Sequence, residues 1–277
     1  RQRVARWAER SERPARDPLA IAYAQALLET PVAAAAAKGN VGPLALEWVP
    51  MRLVVDPPQK ATGAVPDAQY LAAYLPEAMG PARAGLDIVS PYFVPGDAGT
   101  EALRRQAEQG VQVRILTNSL SATDVAAVHA GYAQHRQALL AAGVRLYELK
   151  RQPFASGRAS PAKWASSAAS LHGKTFAVDR ARAFVGSFNL DPRSYRLNTE
   201  LGLVIDSPRL AGALSDAMDR HLPLAAYELR LRQAGGIEWV ERTPQGSVVV
   251  HTTEPAASFW RRVMVKLLSW LPIQGLL

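Results

Sequence analysis

The stretch Leu171-His-Gly-Lys-Thr-Phe-Ala-Val-Asp179 sets out the chemistry that this chain can perform. Alternate side chains of a strand share a face, so His172 and Lys174 project the same way, roughly 6.6 Å apart along the backbone. An imidazole beside an ammonium suits phosphodiester chemistry. The lysine neutralises a non-bridging oxygen, while the histidine attacks phosphorus or protonates the departing oxygen. Gly186-Ser187-Phe188-Asn189 follows: the glycine permits close backbone approach, and Ser187 and Asn189 supply uncharged donors to a phosphate. Glu200 is a carboxylate suited to hold the imidazole in one tautomer and stabilise its charged form, as the third member of a triad does. A lone histidine is more often structural than catalytic. Here the combination carries the signal.

These residues need a framework. With 277 residues, 48 % of them hydrophobic and 20 % charged, the chain can form one large or two small domains with a sizeable core. The absence of cysteine excludes a disulfide framework, a thiol nucleophile and a cysteine-ligated metal. The net charge of +8 favours anionic partners, whether phospholipid surfaces, nucleic acid or phosphate esters. No stretch approaches the ~20 apolar residues of a transmembrane helix, and the start does not read as a signal peptide. The chain opens at Arg1, inside what reads as helix, which leads us to expect a fragment of a longer protein.

Residues 1–43 read as a helical segment, the tail of a missing N-terminal half. Its Arg1, Arg3, Arg6, Arg10, Arg13 and Arg16 form a basic stripe, either a solvated face or a contact with anionic lipid or the missing segment. Leu44 to Asp56 reads as a strand, stopped by Pro57-Pro58. Strands at Leu86–Ser90, Val111–Leu116 and Val144–Leu149 then alternate with helices over Thr100–Gln109 and about Thr123–Ala142. That alternation predicts βαβ units within a mixed, mostly parallel sheet flanked by helices, an α/β architecture. Residues 151–170 read as a surface loop, with Lys163 and Trp164 as candidates for a lid. Strands over Leu171–Val178 and Ala183–Ser187 surround an Asp179-Arg180 turn, followed by a strand at Leu201–Ile205 and a helix from Ser207-Pro208. The domain carrying the motif thus spans 44–232. Residues 233–277 read as a β-hairpin and a tail, Phe259–Leu271, in which Trp260, Val263, Met264, Leu267, Leu268 and Trp270 mix with Arg261, Arg262 and Lys266. The tail fits an amphipathic helix in a membrane interface or a helix packed on the core.

The pattern H-x-K-x4-D-x6-G-S-x-N resembles the HKD motif of the phospholipase D superfamily without a mismatch. The surrounding text is similar to the bacterial cardiolipin synthases, through Ser90-Pro-Tyr-Phe-Val-Pro95, Thr117-Asn-Ser-Leu, Asp124, His129-Ala-Gly-Tyr132, Asp191 to Glu200 and Leu271-Pro-Ile. The resemblance covers most of the chain from about residue 44. It implies that His172, Lys174 and Asp179 form the motif triad, that Ser187 and Asn189 line a phosphate site, and that Glu200 partners the histidine. Asp179, at the far end of its strand, then braces the site rather than touching substrate. Candidates for substrate contact are Tyr92, Asn118, His129, Tyr132, Arg193 and Arg196, each set against packing, capping or a surface salt bridge.

The family needs two HKD motifs at one active site, and this sequence has one. The resemblance therefore implies a missing N-terminal half or a second protomer. If His172 belongs to the second motif it is the general acid/base, an assignment that becomes ambiguous in a symmetric homodimer. The implied activity is phosphatidyl transfer to phosphatidylglycerol, with phosphatidylethanolamine as a further candidate substrate, at the cytoplasmic side of a bacterial inner membrane and with no cofactor or metal. Rival readings are a phospholipase D-type hydrolase, a nuclease, and an inert membrane-binding or dimerisation module. The tail argues against nucleic acid as the partner.

Overall fold

The computed structural model describes residues 47–63, 65–151 and 171–269. The basic N-terminal stripe, Lys163, Trp164, Trp270 and Leu271-Pro-Ile lie outside the described residues. The chain divides into two compact units, Arg1–Trp48 with Pro161–Lys163, and Val49–Ser160 with Trp164–Leu277. The second carries the motif.

Its first strand, β1 (Met51–Val55), leads through two 3-10 turns into α1 (Leu71–Met79). Next come β2 (Gly85–Val89), α2 (Gly96–Glu108), β3 (Gln112–Asn118), α3 (Ala126–Ala133), α4 (Arg136–Ala141) and β4 (Arg145–Leu149). Then β5 (Thr175–Val178) and β6 (Arg182–Gly186) form a hairpin, followed by α5 (Pro192–Arg196), β7 (Leu201–Asp206) and α6 (Pro208–Ala225). The chain continues through β8 (Ala226–Leu231), β9 (Ile237–Arg242), β10 (Val248–His251) and α7 (Phe259–Leu268).

All ten strands join one sheet in the order β1-β7-β6-β5-β2-β3-β4-β8-β9-β10. The sheet is mixed, with helices on both faces, but the parallel part is smaller than the sequence pattern predicts. Only β2, β3 and β4 run parallel, and the other pairs are antiparallel. The reason lies in the connections. Helical crossovers separate the three parallel strands, whereas a tight turn such as Asp179-Arg180 forces its strands to run oppositely. Both residues of that turn sit at positive φ, 52° and 54°. Arg180 is held there by an ion pair with Asp216.

On one face, Ile88, Ile115, Leu146, Phe176, Phe184 and Val204 pack beneath Leu71, Leu75 and Met79 of α1 and Leu139 of α4. On the other, Leu116, Tyr147 and Leu149 meet Met218 and Leu222 of α6. The helix expected over 123–142 is two helices. At the break the His135 N–H bonds to the Tyr132 carbonyl, three residues back instead of four.

Register fixes where the chemistry collects. Val89 pairs with Thr175, Thr175 with Val185, Gly186 with Gly202, and Val55 with Leu201. The C-terminal ends of β2 and β3 therefore share one edge with the starts of β5 and β7 and the end of β6. In open α/β sheets that edge is where ligands bind.

Candidate active site

His172 and Lys174 lie just before β5, at this edge. The His172 side chain is exposed, and its ring makes no hydrogen bond among the described residues. Lys174 is 9 % exposed, and its Nζ donates to the His172 carbonyl at 3.0 Å. Burial pushes the Lys174 ammonium below its ordinary pKa, against the opposing pull of the Glu200 and Asp191 carboxylates. A cation anchored beside the motif histidine is therefore built into the backbone of the same segment.

The next strand supplies the polar wall. A Cβ on Gly186 would meet the Leu201 carbonyl oxygen at 2.4 Å and the Phe184 ring at 2.7 Å, so only glycine lets β6 and β7 close here. One residue on, Ser187 N–H donates to the Leu201 carbonyl at 2.9 Å, and its hydroxyl donates to Glu200 Oε2. The other carboxylate oxygen, Oε1, accepts the Ser194 hydroxyl at 2.7 Å. Glu200 thus holds two serine hydroxyls rather than the His172 ring. Asn189 is buried, and its carboxamide oxygen has no partner among the described residues. Amide oxygen and nitrogen exchange places by rotation, so that position can offer an acceptor or a donor.

A network that sequence reasoning missed stands behind this wall. Asp56, at the end of β1, accepts from the backbone N–H groups of Glu200 (2.9 Å) and Leu71 (2.7 Å) and from Lys60 Nζ (2.7 Å). Lys60 is fully buried against the Tyr70 ring and donates also to the Ser194 carbonyl at 2.8 Å. Asp191 caps α5 by accepting from the Ser194 N–H at 2.8 Å, with Pro192 at the first helical position. Burial and the nearby Glu200 raise the Asp191 carboxyl despite that cap. The cap was legible in Asp191-Pro-Arg-Ser194. The Asp56–Lys60 pair was not, because its partners lie far away in sequence.

Asp179 is removed from this cluster. It sits at the opposite end of β5 and accepts from the N–H groups of Arg83, Ala84 and Gly85 at 2.7–3.0 Å. Burial acts to raise its carboxyl, but these three donors and Arg182 hold it below the usual range.

The expected substrate contacts fall into four groups. Asn118 is buried and bonded to the backbone of Leu171, next to His172, with Leu171 N–H donating to Oδ1 at 2.8 Å. Tyr92 donates from its hydroxyl to Asp124 at 2.9 Å. Burial, that bond and the charges of Asp124 and Asp191 push the phenol up to about 12. His129 and Tyr132 are each only 2 % exposed. His129 Nε2 lies 3.0 Å from Glu254 and 3.1 Å from Arg136, and the Arg136 guanidinium stacks 5.0 Å from the Tyr132 ring centre. Arg193 and Arg196 remain exposed on α5, and neither makes a salt bridge among the described residues.

A family profile described as cardiolipin synthase, PLD-like domain matches residues 75–222, more than half of the chain. The chain belongs to that family. Cardiolipin synthase C of Escherichia coli (strain K12) is 46 % identical over 237 residues, covering 85 % of this chain and 50 % of its own length. Cardiolipin synthase A of Pseudomonas aeruginosa (strain LESB58) is 32 % identical over 159 residues, covering 57 % of this chain and 29 % of its own length. The chain therefore spans about half the length, or less, of these curated relatives. Among solved structures, phosphatidylserine synthase from Haemophilus influenzae Rd KW20 shares the fold, with a TM-score of 0.51 at 17 % identity, over 84 % of this chain and 48 % of that one. The mixed sheet and the HKD segment at its edge are thus features of a phospholipase D-like domain.

Proposed function

We propose that this chain supplies the second HKD half-site of a phosphatidyltransferase that makes cardiolipin from phosphatidylglycerol and a phospholipid donor. The observation that carries this reading is the cluster itself, with buried Lys174, Asn189 and Glu200 and the exposed Ser187 at the same sheet edge as a solvent-facing His172. Its similarity to cardiolipin synthase C supports the choice of substrate.

In this account a histidine of the other half attacks the donor phosphorus. A phosphorus–nitrogen bond forms, the bond to the departing alcohol breaks, and His172 gives that alcohol its proton. His172 then takes the proton from a hydroxyl of phosphatidylglycerol, whose oxygen attacks phosphorus and releases the first histidine. Lys174 and the Asn189 amide stabilise the charge on the non-bridging oxygens. Glu200 acts on the imidazole once substrate draws His172 inward, and Asp179 braces β5 against β2.

The second half needs a surface, and β1, β7 and β6 present one. Met51, Leu53 and Val55 lie exposed beside Leu201 and Leu203, with Val185 next to Leu203. Contiguous apolar side chains on a sheet face mark an interface. This one begins at Leu201, directly after Glu200. We assign it to the other HKD half, supplied by the same polypeptide or by a second protomer.

Labelled phosphatidylglycerol, with and without phosphatidylethanolamine, tests the reading in the full-length protein. Labelled cardiolipin as the product supports it. Phosphatidic acid as the sole product would make the protein a hydrolase, and cleavage of DNA in place of lipid would make it a nuclease.

A further inference from the structure

The C-terminal helix α7 packs on the domain by one side only. Val265 is 5 % exposed and joins Leu120 and Ala130, with Leu268 beside them. Arg261 donates to the Thr123 carbonyl at 2.5 Å and Arg262 to the Ala257 carbonyl at 2.8 Å, which fixes the helix in rotation. Glu254, in the segment leading into α7, is tied to His129 and Arg136. The helix is therefore anchored rather than loosely appended.

Its other side is bare. Trp260, Met264 and Leu267 recur at helical spacing along that side, and Trp260 is 77 % exposed. Phe259 adds a second exposed ring, 5.4 Å from that of Trp260. The sequence Phe-Trp-Arg-Arg-Val-Met-Val-Lys-Leu-Leu contains three cations and no acidic residue, and Lys266 is exposed beside Leu267. Aromatic rings with aliphatic neighbours and a lysine that can keep its ammonium in water are what the headgroup boundary of an anionic bilayer accepts.

The position of α7 gives this face a purpose. Its buried side rests on Leu120 and Thr123, in the loop that follows Asn118. Asn118 holds the residue next to His172, and Asp124 of the same loop holds Tyr92. A surface seated through Trp260 is thus coupled to the active-site edge by packed neighbours.

We infer that the Trp260–Met264–Leu267 face of α7 docks this chain onto an anionic phospholipid surface. The inference deepens the phosphatidyl-transfer reading and rests on it for its purpose, because a lipid-transferring site must meet its substrates at a bilayer.

Vesicle flotation tests it without turnover. The full chain is mixed with vesicles of phosphatidylcholine alone or of phosphatidylcholine and phosphatidylglycerol. We expect binding to the anionic vesicles that weakens in high salt. The exposed triple substitution Trp260→Ser, Met264→Ser and Leu267→Ser should reduce it about tenfold or more, and Trp260→Ser alone severalfold, with unchanged thermal unfolding. Flotation of the triple variant equal to wild type would overturn the proposal. So would unchanged flotation accompanied by a fall in molecular mass, which would make the face a contact between copies. A chain that floats as expected, in a full-length protein that forms no cardiolipin, would fault the transfer reading alone.

Discussion

The side chain of Asn118 pairs with the backbone of Leu171 as a neighbouring strand would, accepting its N–H at 2.8 Å and donating to its carbonyl at 3.4 Å. Asn118 ends β3, so the parallel core of the sheet grips the chain one residue before His172. The same amide donates to the Pro91 carbonyl at 3.3 Å, which ties in the segment that carries Tyr92. Replacing Asn118 by Ala should free His172 to move. Misplacement by about 1 Å costs on the order of a hundredfold in rate, so we expect kcat to fall about tenfold to a hundredfold with KM little changed. Steady-state kinetics of the full-length protein check this, and a rise in KM at constant kcat would point instead to direct substrate contact.

Asp179 gives a prediction of the opposite kind. Its carboxylate receives three backbone N–H groups far from His172, so Asp179→Asn should cost about 1.5–3 kcal/mol of stability while the remaining folded protein stays active. The folded carboxyl is held below its unfolded value. Its contribution is therefore complete above the ordinary aspartate value and is lost as pH falls from that value through the lower folded one. Denaturant unfolding of wild type and variant across pH should show a gap at neutrality that closes in acid.

The Gly186 site tests packing. A methyl group there meets a backbone oxygen at 2.4 Å and cannot be accommodated by a rotamer change alone. We expect Gly186→Ala to cost about 1–3 kcal/mol and to loosen Ser187 against Glu200. Thermal unfolding reports the first effect and the lipid-product assay the second.

Glu254 tests the anchor of α7. Burial acts to raise its carboxyl, but His129 and Arg136 overcome this and hold it at about 2, against an ordinary 4.5. Removing the charge with Glu254→Gln should cost about 3 kcal/mol at neutral pH. Because the folded value is depressed, the difference should shrink as pH falls from 4.5 towards 2. Proteolysis should cut the variant first between β10 and α7.

The motif was legible because its signal is local. Residue types at strand spacing put His172 and Lys174 together, and Gly-Ser-x-Asn followed in the next strand. The hairpin of β9 and β10 and the helix starting at Ser207-Pro208 were legible for the same reason. What escaped depends on contacts distant in sequence. Nothing near Asp56 announces that it will clamp the Glu200 N–H, and nothing near His129 announces the Glu254 that pairs with it. Helix α1 carries an internal proline, Pro76, and β8 opens with alanine, so neither has a strong local pattern. Strand direction was overestimated because alternation reveals crossovers but not how many strands are joined by turns.

We propose that His172 takes part in phosphatidyl transfer. The direct measurement is cardiolipin formation from labelled phosphatidylglycerol by the full-length protein and by its His172→Ala variant, with thermal unfolding as a control for folding. We expect labelled cardiolipin from the wild type and its loss, by a factor of about a thousand or more, in a variant that unfolds normally. A folded His172→Ala protein that still forms cardiolipin at the wild-type rate would contradict it.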